Sequence, residues 1–171
     1  MAFALDATVG GTTSNSYITV ADADDYFAGV FNADDWNILT ETEKAQLLVM
    51  STRRLDAEKF YGQRENQTQK LQWPRLFVND RDGYVTTTTT LPVELQYATC
   101  EYALYQLRLE NREVTESMRE DFSRVKIGPL EYEIRDTRKG DVLPNNVQTL
   151  LKAIGPSMWM GGSTTPSSFR R

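Results

Sequence analysis

The sequence contains no histidine and a single cysteine, Cys100, among its 171 residues. Without an imidazole the chain cannot form a Ser-His-Asp triad, a histidine-activated thiol or an HExxH zinc site. One cysteine forms neither an internal disulfide nor a metal site built from several thiolates. These absences exclude the commonest catalytic and metal-binding devices. We therefore expect a protein that is not an enzyme and carries no cofactor.

Long apolar runs and phosphate-binding glycine loops are missing as well. No stretch approaches the roughly 20 consecutive apolar residues that a membrane helix needs. The N-terminal residues MAFALDATVGG lack the basic and apolar regions of a signal peptide. No GxxxxGK[ST] or GxGxxG pattern occurs in the sequence. We expect a soluble protein without membrane contact, made in a reducing compartment.

Basic residues are absent from the first quarter of the chain. Residues 1–43 contain eight acids and no base, whereas residues 44–171 contain 16 acids and 19 bases. A general electrostatic grip on nucleic acid needs a basic surface, and the net charge of −5 indicates none. Five acids form a cluster: Asp22, Asp24, Asp25, Asp34 and Asp35. A solvated face is one interpretation; a divalent-cation site is disfavoured, because capping and dipole effects already account for acids at a helix start.

Capping and proline signals predict a mainly α single domain of about four helices. Thr19 is a candidate N-cap, Thr40 opens a capping box, and Pro92 and Pro144 suit the first turns of two later helices. Gly62 is the expected end of the second helix. The spacing within the long third helix predicts a buried stripe of Leu95, Ala98, Tyr102, Tyr105 and Leu109, and Cys100 is expected to be a buried small apolar residue.

The segments outside these helices divide into arms, a turn and a hairpin. Residues 63–90 are expected to be irregular, with a tight turn at 80–83, and the alternation around 125–134 predicts a small β-hairpin. Residues 155–171 are a predicted flexible arm, because 11 of these 17 residues are Gly, Ser, Thr or Pro. The predicted organisation is an extended N-terminal arm (1–18), a helical domain (19–154) and a C-terminal arm (155–171).

Large apolar side chains lie within the predicted C-terminal arm, which is too flexible to bury them by itself. They are Met158, Trp159, Met160 and Phe169, followed by Arg170 and Arg171. Methionine, tryptophan and arginine are common interface anchors. A disordered end is the alternative interpretation. We favour a docking arm that a partner covers.

Five sequence blocks carry a family resemblance over about residues 15–155. They are NSYITVADADDYF (15–27), STRRLD (51–56), LQWPR with DRDG (71–75 and 80–83), LP with ATCEYA (91–92 and 98–103) and VKIGPL (125–130). In order and spacing they resemble the head–tail connector, or adaptor, proteins of tailed phages. The same proteins are also labelled DnaT-like single-stranded DNA-binding proteins.

The resemblance to adaptors implies a structural virion protein. Such proteins are mostly helical and form a ring, commonly a dodecamer, beneath the portal, where they extend the DNA channel and dock the next tail component. The implied partners are the portal, a tail or stopper (neck) protein, further copies of the chain, and double-stranded DNA that passes through the lumen without specific binding. The implied location is the neck of the virion, and the host cytoplasm during assembly. The second label implies instead a single-stranded DNA-binding module of replication.

Residue-level expectations follow from each label. For a ring, we expect the acidic cluster of Asp22, Asp24, Asp25, Asp34 and Asp35 to face the lumen or a subunit seam. We expect Met158, Trp159, Met160, Phe169, Arg170 and Arg171 to bind the portal. A single-strand binder should combine a basic groove with exposed aromatic rings. The chain is acidic, however, and the helical spacing of Tyr97, Tyr102 and Tyr105 predicts that these rings lie in the core.

Overall fold

The protein is mainly α, as the sequence predicts. The computed structural model describes residues 4–80, 82–116, 124–127, 130–133 and 143–154, with side chains in 4–80, 82–109 and 143–154. The helices are α1 (Val20–Ala28), α2 (Asp34–Asn37), α3 (Glu41–Asp56), α4 (Val93–Glu116) and α5 (Asn145–Ala153). The strands are β1 (Gln63–Arg64), β2 (Arg75–Leu76), β3 (Arg124–Ile127) and β4 (Leu130–Glu133).

The predicted helix starts are confirmed. The Thr19 hydroxyl accepts a hydrogen bond from the Asp22 N–H (3.1 Å) at the start of α1. At the start of α3, the Thr40 hydroxyl accepts from the Glu43 N–H, and the Glu43 carboxylate accepts from the Thr40 N–H (2.8 Å). These bonds satisfy N–H groups that have no partner inside the helix. Helix α5 follows Pro144 directly.

Three local predictions are wrong. Helix α3 ends at Asp56, with Ala57 as C-cap, and does not extend to Gly62. The short helix α2, which buries Trp36, is not among the helices that the sequence predicts. Tyr105 and Leu109 are more than a third exposed although they belong to the predicted buried stripe of α4. Apolar residues surround α4, so its neighbours decide which of them are buried.

The core consists of two clusters along α3 and α4. The first cluster joins the end of α3, the loop between α3 and α4, the start of α4, and α5. Its members include Leu55, Trp73, Leu95, Ala98 and Val147. The second joins α1 and α2 to the first half of α3 and the later part of α4: its members include Phe27, Trp36, Leu48, Ala103 and Leu104. Helices α3 and α4 therefore run in opposite directions, and the two clusters lie at opposite ends of α3.

Both sheets are small antiparallel pairs. Strands β3 and β4 form the hairpin predicted near 125–134, in the register Arg124↔Glu133. Strands β1 and β2 pair Gln63 with Leu76 inside the segment predicted to be irregular. The turn predicted at residues 80–83 is confirmed by the Gly83 N–H, which donates to the Asp80 carbonyl (3.1 Å), while Gly83 adopts φ +89°.

The N-terminal segment lies against the domain. Tyr17 and Ile18 are buried, and the Tyr17 hydroxyl donates to the Asp56 carboxylate at the end of α3. The Gly11 carbonyl accepts from the Lys70 N–H (3.1 Å). Residues 4–18 thus fold back over the loop that follows α3, without forming a helix or a strand.

Asp6 is expected to make the internal turn of this segment pH-dependent. Hydrogen bonds from Thr8 and Thr13 to its carboxylate lower the pKa of Asp6 to about 2. A lowered pKa in the folded state stabilises the fold fully above the unfolded-state pKa of about 4, and this contribution is lost as the pH falls towards 2. We therefore expect Asp6→Asn to destabilise the protein at pH 7, with a gap from the parent that shrinks at pH 2.5. Urea denaturation at pH 7, 4 and 2.5 measures the gap, and a constant gap would contradict the assignment.

Candidate interaction surfaces

One end of the molecule, here called the acidic end, comprises α1, α2, the turn between them and the first turn of α3. Asp24 holds these helices together. Its carboxylate accepts from the Trp36 indole N–H (2.7 Å) and from the Lys44 ammonium group (2.8 Å). The Lys44 ammonium also lies 5.5 Å from the centre of the Trp36 ring, within the range of a cation–π contact. Asp24 therefore acts as a structural acid that joins three helices.

The charge of Asp24 is maintained by its partners. Partial burial raises the pKa of Asp24, but the hydrogen bonds from Lys44 and Trp36 and the positive charge of Lys44 outweigh burial, so the pKa lies below its ordinary value. Asp22 also has a local role, because it accepts from the Thr19 hydroxyl (2.6 Å) at the start of α1. Two of the five predicted cluster residues thus serve the fold directly.

The acidic end nevertheless retains a strong negative surface. The structure places all five predicted residues on α1 and α2, which pack together through the second core cluster. The exposed acids of this end are Asp22, Asp25, Asp34, Glu41 and Glu43. One exposed base approaches from α4, Arg108, which donates to the Asn32 carbonyl (3.0 Å). Among the residues that the structure describes, no group of three or more acids or cysteines could hold a metal ion.

Two large apolar side chains project from this negative surface. Phe31 is 88% exposed and Ile38 is 81% exposed, and they flank α2 in the chain. Helical spacing does not predict either residue as a site residue, because both lie in turns outside the helical stripes. A large apolar residue within a polar turn is the signal that could have identified them. An exposed apolar pair inside a charged rim is typical of an interaction surface.

The opposite end, here called the loop end, comprises residues 57–80 and 82–92 with the adjoining ends of α3 and α5. Arg75 organises it from inside: the side chain is buried and its guanidinium donates to the carbonyls of Phe60, Tyr61 and Gly62 and to the carbonyl and side chain of Gln72. The buried amide of Gln69 donates to the carbonyls of Leu71 and Pro74. In this segment, buried side chains therefore donate the hydrogen bonds that backbone carbonyls would otherwise accept within a helix or a long strand.

This framework presents aromatic side chains to solvent. Phe77 is 77% exposed and Tyr84 is 74% exposed, and Val85, which follows Tyr84, and Tyr61 are exposed as well. Phe77 adopts φ +61°, a left-handed conformation that costs an L-residue about 1 kcal/mol or more. Strained residues of this kind cluster at functional sites. Phe77 is thus the residue of the loop end that most strongly indicates a binding role.

The exposed charges of the loop end are mainly positive. Among its described side chains, the exposed bases are Arg53, Lys59, Arg64, Lys70 and Lys152, and the exposed acids are Glu65 and Asp82. Lys152 belongs to this end because it lines a shallow surface pocket together with Lys59 and Phe60. Each end of the molecule therefore exposes large apolar side chains, and the exposed charges of the two ends are opposite in sign.

The tyrosines of α4 differ in burial. Tyr102 lies in the core as predicted, but Tyr97 is 39% exposed, with its ring centroid 4.7 Å from that of Tyr26, and Tyr105 is more than a third exposed. The prediction of core burial is therefore wrong for Tyr97 and Tyr105, which lie on the outer part of the α4 surface. Cys100 is buried as predicted, and burial raises the pKa of its thiol well above the ordinary value.

The predicted portal-binding residues lie outside the described part of the chain. They are Met158, Trp159, Met160, Phe169, Arg170 and Arg171. None of the described helices combines the length and the apolar composition of a bilayer span.

Comparison with known proteins places almost the whole chain in one family. Residues 1–170 match the sequence profile of a family described as "Putative DnaT-like ssDNA binding protein". That description names a binding function and no catalysed reaction. No curated protein and no solved structure matches the chain.

Proposed function

This chain belongs to the DnaT-like ssDNA-binding protein family. Because its sequence blocks also resemble those of phage head–tail adaptors, we propose that it is a structural adaptor without enzymatic activity. In this proposal copies of the chain form a ring beneath the portal, extend the DNA channel and dock the next tail component. The observation that carries the proposal is the pair of oppositely charged ends, each with exposed large apolar side chains. Such surfaces serve assembly.

The acidic end supports passage of DNA without tight binding. Five exposed acids and one exposed base give this end a field that repels phosphate groups. Protein–DNA affinity depends on bases that neutralise phosphates, so a channel wall of this kind would not retain the duplex. The proposed position of Asp22, Asp25 and Asp34 is therefore the lumen or a subunit seam.

The proposed mechanism is assembly through two kinds of contact. Subunits of a ring make head-to-tail contacts. The ring is closed when the rotations between successive neighbours add up to a full turn. The C-terminal residues, including Trp159 and Phe169, are proposed to bind the portal, and the opposite side of the ring to bind the tail or stopper protein. The proposed location is the neck of the virion.

The second candidate function is single-stranded DNA binding, which the family description names directly. The loop end favours it, because exposed Phe77 and Tyr84 belong to the same surface as exposed Arg64 and Lys70. Aromatic rings beside bases form the stacking platforms of single-strand binders. The family description thus supports single-stranded DNA binding, whereas the charge of the acidic end and the adaptor resemblance support the adaptor role.

A mobility-shift assay with a 30-nucleotide single strand discriminates between the two candidates. For an adaptor we expect no retained complex at micromolar protein in 50 mM salt, since the chain lacks a continuous basic groove among its described residues. Electron microscopy of the protein with portal should instead show rings. Tight binding that falls steeply between 50 and 200 mM salt, and that a Phe77→Ala, Tyr84→Ala double variant abolishes, would establish the single-strand binder and overturn the adaptor.

A further inference from the structure

We propose that the loop end of one copy binds the acidic end of the next copy. The proposal rests on the ring proposed above and identifies the surfaces by which its subunits meet. Of the two positions proposed for the acids of the acidic end, it selects the subunit seam. Phe77 and Tyr84 of one copy pack on Phe31 and Ile38 of its neighbour, within a rim of opposite charges.

Both ends of the molecule expose large apolar side chains to solvent. Phe31, Ile38, Phe77 and Tyr84 are each about three-quarters exposed or more, at two separate places on one chain. Interfaces between subunits have an apolar centre in which aromatic residues are enriched, and a polar rim. Each end has this composition, and Phe77 is held outward on a strained backbone. An interface would bury the side chains that the isolated chain leaves in water.

Charge complementarity identifies the occupant. Among the described side chains, the acidic end exposes five acids and one base, and the loop end exposes five bases and two acids. Two acidic ends repel each other, as do two loop ends, whereas one of each attracts. A second copy of the chain supplies the missing charge at both ends. Single-stranded DNA could cover the loop end but would leave Phe31 and Ile38 exposed.

The positions of the two ends permit a continuing assembly. They lie at opposite ends of α3, whose 16 residues span about 24 Å. A single copy can therefore contact two neighbours at once. This is the requirement for a head-to-tail interface, as opposed to a twofold interface in which one patch meets itself.

Site-directed disulfide formation tests the contact in the full-length chain. The natural Cys100 is buried, so engineered surface cysteines report alone. A mixture of Ile38→Cys and Phe77→Cys proteins, oxidised at several hundred micromolar, should form a mixed dimer at least tenfold faster than a mixture of Met50→Cys and Phe77→Cys. Met50 is the matched control, an exposed apolar residue in the middle of α3. Equal rates in the two mixtures would overturn the proposal.

Mixing two variants, each of which has one end disabled, provides an independent measurement of association. A Phe31→Ala, Ile38→Ala protein keeps its loop end, and a Phe77→Ala, Tyr84→Ala protein keeps its acidic end. Each alone should be monomeric in sedimentation, and their mixture should give a dimer and nothing larger. Truncation of central aromatic anchors typically weakens association tenfold or more. No dimer in the mixture, while the parent protein associates, would contradict the head-to-tail contact.

The failure of this inference and that of the proposed function have different signatures. Rings on portals without the Ile38–Phe77 cross-link would overturn the subunit contact and leave the adaptor role standing. The specific cross-link in a protein that never attaches to portals would support the contact and refute the adaptor role.

Discussion

The Arg75→Met variant should lose about 3 kcal/mol or more of its free energy of unfolding. The guanidinium donates five hydrogen bonds, four of them to backbone carbonyls of the loop end. Methionine fills a similar volume but donates none, so several acceptors lose their partner. Each buried polar group left unsatisfied costs about 1–3 kcal/mol. Urea denaturation followed by tryptophan fluorescence measures the loss, since Trp73 lies two residues away.

An exposed arginine in the same part of the molecule is the matched control. Arg53→Met, on the exposed surface of α3, should change the free energy of unfolding by less than about 0.5 kcal/mol. Arg75→Lys should recover little stability, because one ammonium group cannot reach carbonyls that surround a planar guanidinium. If Arg75→Met unfolds within 1 kcal/mol of the parent, the guanidinium does not hold the loop end together.

The Arg75 variant also connects stability with function. Phe77 is two residues from Arg75, and its left-handed conformation depends on the ordered backbone around it. We expect Arg75→Met to weaken any contact made by the loop end, even where the remaining helices stay folded. Limited proteolysis should show new cleavage between residues 57 and 80 in the variant before the helices unfold.

Deletion of residues 156–171 should abolish attachment to the portal and leave the helical domain folded. Among the described residues, the last ones in the core belong to α5 and its C-cap: they are Val147, Leu151 and Ile154, and all of them precede the deletion. The removed segment contains Met158, Trp159, Met160 and Phe169, the proposed anchors. Co-sedimentation with portal measures attachment, and circular dichroism with urea denaturation measures the fold.

Point variants in the full-length chain distinguish the effect of losing the anchor side chains from the effect of shortening the arm. Trp159→Ala combined with Phe169→Ala should weaken portal attachment strongly, since large aromatic anchors carry most of the energy of an interface. Ser167→Ala combined with Ser168→Ala is the control in the same segment and should attach normally. A truncated protein that joins the portal as well as the parent would refute the docking role of this segment.

Local interactions explain which parts of the fold were predictable. The capping box of Thr40 and Glu43 and the turn from Asp80 to Gly83 use partners within three residues, so their signals are contained in short stretches of sequence. The hairpin of β3 and β4 likewise pairs neighbouring segments. The sequence predicts the negative half of the charge separation between the two ends, because residues 1–43 contain no base.

Tertiary neighbours explain what could not be predicted. Tyr102 and Tyr105 have the same residue type and lie on the same helix, yet only Tyr102 lies in the core, because α3, α5 and the loop end cover one part of α4. The role of Arg75 depends on carbonyls from residues 60–62, more than ten positions away. No local pattern encodes such a partner.

Composition and short-range patterns thus establish a helical chain, poor in catalytic groups, whose negative charge is concentrated near its N-terminus. The pairing of α3 with α4 decided that the acidic residues and the aromatic loop lie at opposite ends of one molecule. Only the tertiary structure shows that Phe31, Ile38, Phe77 and Tyr84 are exposed. Capping and turn bonds join groups close together in the chain, whereas burial depends on which distant segments the folded chain brings into contact.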